Sequence, residues 1–199
     1  MQTLPIVESA QPADSKEFRH LLVLSAGYFP LLFGPHAYDV LAQMFVLDKN
    51  LFSYRHTLKI TLDGRTSVML LGYDYATKKA EELHTGWLLW RHAGRHLLPS
   101  VGALWRFNQT VGRLNPGCYY ISNIATFAEF RHRGLASIMM EYVASLASEQ
   151  GLQYLVLDVE ADNQPAISLY RQTGFNLQEL NHVLLKGKRL HFLRMIKTL

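Results

Sequence analysis

The sequence predicts an α/β fold in which a central mixed antiparallel/parallel β-sheet is flanked by helices. Three observations carry that reading. The stretch Tyr119 to Phe175 reads as strand, glycine-bearing turn, helix, strand, second turn and helix. Upstream, Asp63-Gly64 separates two apolar, β-rich runs, which is a strong hairpin signal. The composition, 49% hydrophobic and 18% charged over 199 residues, is that of a globular chain able to bury a core without disulfides. A hairpin followed by strands alternating with helices makes a mixed sheet.

Taken in order, Leu4 to Val7 suits a first strand, and Asp14 or Ser15 suits the cap of a helix through Phe18, Leu21, Leu22 and Leu24. Tyr28 to Pro35 is strongly apolar but broken by Pro and Gly, and His36 to Leu47 reads as another helix. The hairpin strands are Tyr54 to Thr61 and Thr66 to Tyr73. Thr77 to Arg113 reads as one long helix or two, broken near Ala93-Gly94 or Pro99-Ser100. The expectation there is an amphipathic helix that packs Trp87, Trp90, Trp105 and its leucines on the sheet and leaves its charges in water. His92 and His96 are four apart, a spacing that suits a metal, but no third ligand is fixed and no metal is expected.

Cys118 to Thr126 is aromatic and β-branched, as a buried strand requires. After Phe127 to Gly134, the residues Leu135, Ile138, Met139, Tyr142, Val143 and Leu146 recur on one helical face. A strand follows over Gln153 to Val159, ending at Asp158. Next comes a short helix opened by Asn163-Gln164-Pro165 and closed at Gly174. His182 to Leu199 suits two final strands around Lys186-Gly187-Lys188. One domain, 1–199, accounts for all of this, with a cofactor-binding core over about 117–175 and a helical insertion over about 77–113.

The lone Cys118 fits a reducing compartment. No apolar run is long enough to span a membrane, and Met1 to Asp14 lacks the pattern of a secretory leader. The expected compartment is the cytoplasm, without stable membrane association. A net charge of +4 is too small to argue for nucleic acid.

Gly134 stands where a helix begins, and unpaired N–H groups there make a seat for phosphate to which Arg131 and Arg133 add charge. Arg131-x-x-Gly134-x-Ala136 resembles the first signature of the GNAT superfamily of N-acetyltransferases. Asn163-x-x-Ala166-x-x-Leu169-Tyr170-x-x-x-Gly174-Phe175 resembles its second signature. Both follow a strand and open a helix, in the family's order. Ala136 replaces the commoner Gly, Thr126 stands where Val is usual, and Ala128 stands where Pro is usual.

The resemblance implies the GNAT fold and acetyl-CoA as acyl donor to an amine acceptor. It places the pyrophosphate on Arg131, His132, Arg133, Gly134, Leu135 and Ala136, and the pantetheine arm along Ile124, Ala125 and Thr126, with Asn163, Ala166 and Tyr170 completing the site. Tyr170 is implied as general acid and the Ile124 N–H as oxyanion donor. Leu157-Asp158-Val159-x-x-x-Asn163 resembles the Leu-Glu-Val-x-x-x-Asn of ribosomal-protein N-terminal acetyltransferases, which makes Asp158 the candidate base. Glu160 points the same way if the strand continues, whereas the histone-type glutamate position falls near Tyr120. The reading is direct acetyl transfer to a small amine or a protein N-terminus, with a catalytically silent acyl-CoA sensor or scaffold as the alternative. The 77–113 insertion is left open as core packing, acceptor wall or a contact between two copies.

Overall fold

A computed structural model describes residues 5–94 and 101–199, without the side chains of Val101, Ala103 and Trp105. The strands are β1 Ile6–Ser9, β2 Thr57–Leu62, β3 Arg65–Asp74, β4 Cys118–Thr126, β5 Tyr154–Glu160, β6 Asn176–Leu185 and β7 Lys188–Thr198. The helices are α1 Ser15–Ser25, α2 Phe29–Phe33, α3 Ala37–Phe45, α4 Tyr75–Ala93, α5 Val101–Thr110, α6 Leu135–Glu149 and α7 Gln164–Gln172. One seven-stranded sheet results, in the order β1-β2-β3-β4-β5-β7-β6. Every neighbouring pair is antiparallel except β4 and β5, which α6 connects as a crossover.

Alternation along β3 fixes what covers each face. Met69 and Leu71 join a core built from α1 to α5, whereas Val68 and Leu70 join one built from α6, α7 and β5. Both hairpins turn on two residues with positive φ, Asp63 (50°) with Gly64 (72°) and Lys186 (49°) with Gly187 (80°). These turns match the right-handed twist of the strands they join.

Local departures from the sequence expectations have physical causes. Tyr54–His56 is a helical turn capped by the Ser53 hydroxyl, so β2 starts at Thr57. Phe29–Phe33 is a short helix where Pro and Gly predicted a break. It starts with Pro30 in its first turn, where the missing N–H costs nothing. The Asp14 side chain does not cap α1; it takes the Gln11 N–H (2.7 Å) and the Lys59 ammonium (2.8 Å). On α6, Met140 and Ala147 are buried and Tyr142 is exposed. On α4, Thr85, Leu88, Leu89 and Ala93 are buried, whereas Leu83 is 85% exposed and Trp87 and Trp90 about half exposed (50% and 48%). The stripe facing the core is therefore not the tryptophan face. Arg95, His96 and Pro99-Ser100 lie outside the described residues, as does the Trp105 side chain. His92 Nδ1–H donates to Gln43 Oε1 (3.1 Å), and among the described residues no cluster of His, Cys, Asp or Glu is placed to hold a metal. No described helix is long and apolar enough to cross a membrane.

Gly72 allows β3 to lie close against β4. A Cβ there would come within 2.6 Å of the Tyr119 ring and 2.9 Å of the Tyr120 carbonyl oxygen. Gly72→Ala is expected to cost about 1–3 kcal/mol through overpacking. Thermal denaturation should therefore show a Tm lower by several degrees, and an unchanged Tm would mean that this approach is not tight.

Candidate active site

The site starts from a parting of strands. β4 and β5 pair through Ile121 and Leu157; beyond these, β4 continues against β3 to Thr126 and β5 against β7 to Glu160. A bulge sits at the parting. The β3 register steps from Gly72–Ile121 to Leu71–Asn123, so Ser122 is an extra residue. Bulges raise local twist and re-aim side chains. Here Ser122 donates to Asn123 Oδ1 (2.9 Å), and Asn123 donates to Ser25 of α1 (2.9 Å).

The gap exposes backbone donors. The Phe127 N–H is bonded to the Ser67 carbonyl of β3 (2.9 Å). Antiparallel alternation then directs the N–H groups of Ile124 and Thr126 away from β3, into the gap that β5 has left. Past the strand, the turn before α6 has left-handed backbone at His132 (φ 61°) and Gly134 (φ 73°). Such an alternation curls successive N–H groups inward into an anion cradle. Arg131 and Arg133 are exposed beside it, tethered to the carbonyls of Thr126 (3.3 Å) and Glu129 (3.2 Å).

Three openings meet at the parting. A groove of about 630 Å³ runs from the Arg131–Ser137 turn past Ile124, Ala125 and Thr126 to Asn163, Ala166 and Tyr170. A narrow passage of about 70 Å³ between the diverging strands shares Leu24, Ile124, Asn163, Ala166 and Tyr170 with that groove. On the other face, a cavity of about 450 Å³ under α2, α4 and α5 shares Tyr28 and Ser122 with the passage.

Tyr170 lines both the groove and the passage. Burial raises its phenol well above the ordinary value, so it stays protonated and able to donate. Asn163 caps α7, accepting the Ala166 N–H (3.3 Å), while lining the groove.

The two carboxylates differ. The Asp158 side chain is fully buried and accepts from the Gly112 N–H (2.8 Å), the Tyr120 hydroxyl (3.1 Å) and Arg194 Nη1 (3.2 Å), all on Oδ2. Burial pushes its carboxyl upward, against the pull of Arg194 first and then of those two hydrogen bonds. Glu160, two residues on, also lines the passage and is half-buried. Burial raises its carboxyl, Asp162 adds to the rise and Lys188 opposes it.

The model of the Acetyltransferase (GNAT) family matches residues 66–175, more than half of the chain. The chain belongs to the GNAT acetyltransferase family. It is 39% identical over 54 residues to the ribosomal protein bS18-alanine N-acetyltransferase of Salmonella typhimurium, covering 27% of this chain and 36% of that protein. It is 34% identical over 56 residues to N-alpha-acetyltransferase 30 of Schizosaccharomyces pombe, covering 28% and 37%. The matched stretch thus spans little more than a third of these relatives. Among solved structures, an acetyltransferase superposes with TM-score 0.68 at 20% identity over 97% of this chain and 98% of its own. The Bacillus subtilis acetyltransferase in complex with CoA superposes with TM-score 0.59 at 12% identity over 98% and 99%. At such identities the likeness shows the shared GNAT fold.

In this GNAT chain the groove gathers Ile124, Ala125, Thr126, the Arg131–Ala136 turn, Asn163, Ala166 and Tyr170. The passage adds Asp158 and Glu160. Sequence reasoning missed Arg194, Gly112, Lys78 and Ser122. Lys78 donates to the Gly112 carbonyl (2.6 Å), so the loop after α5 is held at both its N–H and its C=O. Arg194 is buried between Leu193 and Met195 and also bonds the Arg113 carbonyl. A charged residue at an inward position of an alternating strand was the available signal.

Asp158→Asn should leave Arg194 buried without its counter-charge. Losing one partner of a buried pair costs about 3 kcal/mol, so denaturant unfolding should shift well below wild type. A variant as stable as wild type would show that the pair contributes nothing to the fold.

Proposed function

We propose that this chain transfers an acetyl group from acetyl-CoA directly to a primary amine. The observation that carries the reading is the meeting of groove and cavity at the β4–β5 parting, where Tyr170, Asp158, Glu160 and the outward-turned edge of β4 line the junction. All seven strands lie in one sheet, which supports treating 1–199 as one catalytic unit.

The residues fit the donor. The inward N–H groups of the turn, with Arg131 and Arg133, suit a pyrophosphate, and the groove past Ile124 to Thr126 offers strand-edge donors to amide groups. When bound, acetyl-CoA supplies an acyl group activated as a thioester. Glu160, whose carboxyl has no counter-ion within bonding distance among the described residues, takes the proton that an ammonium must lose before it attacks. Asp158 is not the better base, because its oxygens already accept from Gly112, Tyr120 and Arg194. The Ile124 N–H faces the gap and is the donor to the acyl oxygen as charge develops there. Tyr170 protonates the departing sulfur, so the products are an acetamide and free CoA.

A protein N-terminus as the primary amine is supported by the similarity to the bS18-alanine N-acetyltransferase and to N-alpha-acetyltransferase 30. A silent acyl-CoA binder would share the groove and show no turnover.

Calorimetric titration tests the donor site. Gly134→Val should weaken acetyl-CoA binding at least about tenfold, since a β-branched residue resists positive φ and its side chain enters the cradle. No protein atom lies within 4 Å of the added Cβ, so the effect is expected without loss of fold; unchanged affinity would remove the phosphate assignment.

Turnover tests the chemistry. Tyr170→Phe should lower kcat about 100-fold, within the range for a general acid, while acetyl-CoA affinity holds. Because the Glu160 carboxyl is raised, kcat/KM should fall as pH drops through a value above that of an ordinary glutamate, where protonation removes the acceptor. Glu160→Gln should abolish that acidic limb together with most activity. A limb that survives the substitution assigns the base elsewhere.

A further inference from the structure

We propose that the acceptor is a primary amine carried on a single compact aromatic or branched apolar body, rather than a peptide N-terminus or a polyamine. This rests on the acyl-transfer reading above and is drawn from the cavity on the opposite face of the sheet.

At about 450 Å³ the cavity is in the size range of small-molecule sites, roughly 300–1,000 Å³. Eight of the twenty described residues that line it carry aromatic rings. Phe29, Phe33 and Phe52 stand edge to face with centroids 5.2, 6.3 and 6.0 Å apart, and Tyr28 and Phe107 lie 5.5 Å apart beside them. Edge-to-face contacts among buried rings fix the wall before any acceptor arrives. At the inner end, Tyr28 and Ser122 form the neck into the passage that Glu160 and Tyr170 line. An amine at that neck places its body among the rings.

The polar groups of the cavity are largely spoken for. Lys78 is bonded to the Gly112 carbonyl; Thr85 donates to the Glu81 carbonyl and accepts the Leu51 N–H. Glu82 and Asn108 are exposed at the rim. A peptide would bring an N–H and a C=O at each residue that such walls leave unpaired, which is costly in an apolar site. A diamine would have to bury its second ammonium among the rings or beside the Lys78 cation, because the Glu82 carboxylate stands at the exposed rim.

Gly86 provides the test. It lies within α4 and lines the cavity, and an added Cβ there meets nothing within 4 Å. Gly86→Trp should therefore fill space without disturbing the helix, which gains propensity on losing a glycine. The wild-type protein would be assayed for CoA release with 2-phenylethylamine, ethylamine, cadaverine and an alanine-initiated hexapeptide. Expected is a kcat/KM for 2-phenylethylamine at least about tenfold above the other three. In Gly86→Trp its ratio to ethylamine should collapse through KM, while Tm and acetyl-CoA affinity hold.

A preference for the hexapeptide or cadaverine, or a Gly86→Trp variant with an unaltered ratio, would overturn the assignment. If acetyl-CoA does not bind, the acyl-transfer reading fails on its own. Saturation-transfer NMR with 2-phenylethylamine then decides the cavity: contact that Gly86→Trp removes upholds it, and no contact overturns it.

Discussion

The parting of β4 from β5 is the constraint on which the rest of the structure depends. A continuous sheet would pair every N–H of β4 beyond Ile121 and seal one face from the other. By following β3 on one side while β5 follows β7, the two strands open a gap without surrendering the outer ladders. The cost is a row of unpaired backbone groups, which is unfavourable unless something polar occupies the gap. That requirement explains why the groove, the anion-cradling turn and the α7 cap all converge there. It also explains the bulge at Ser122, since extra twist in β4 is what aims its continuation away from β5.

Holding such a gap open requires an anchor on the far side, and Asp158 is placed to provide one. It stands at the first β5 position beyond the last β4 pairing and ties Tyr120 of β4, Arg194 of β7 and the Gly112 loop into one buried cluster. Burying a carboxylate and a guanidinium is expensive, and the hydrogen bonds from Tyr120 and Gly112 offset part of that cost by satisfying the remaining lone pairs. The cluster fixes the angle between strands and the position of the segment after α5 together. A residue that resembles a catalytic base by sequence position is thus tied into the buried cluster that joins β4, β5, β7 and the Gly112 loop.

The groove in this arrangement was legible in the sequence because it is built from local patterns. Gly134 marks a helix start, Asn163-Gln164-Pro165 marks another, and strand periodicity around them fixes their register, so the groove residues follow from a stretch of chain read in order. The hairpin at Asp63-Gly64 was equally local. The different surroundings of the two carboxylates were less legible: Asp158 and Glu160 lie on the same face of β5, and what separates them is Arg194 and Gly112, distant in sequence. The tryptophans of α4 misled for a similar reason. Large apolar residues are interior on average, but the helix is rotated by the packing of Thr85, Leu88 and Leu89, and no periodicity within α4 alone reveals that.

The helical segment 77–113 acquires its meaning from these distant contacts. Its described residues do two things: α4 and α5 wall the cavity on the face opposite the groove, and the Gly112 loop plugs into the Asp158 cluster while Lys78 of α4 clamps the same loop. Cavity and strand parting are therefore mechanically one object. Lys78 holds the Gly112 carbonyl and Asp158 holds its N–H, so the cavity wall and the passage lined by Asp158, Glu160 and Tyr170 share one anchor. Under the acyl-transfer reading proposed above, selectivity for the acceptor body and alignment of the reacting groups are coupled through that loop. An acceptor that packs the rings correctly would hold the loop where the acid and base are aligned, whereas one too small to touch the walls would leave that alignment to the hydrogen bonds alone.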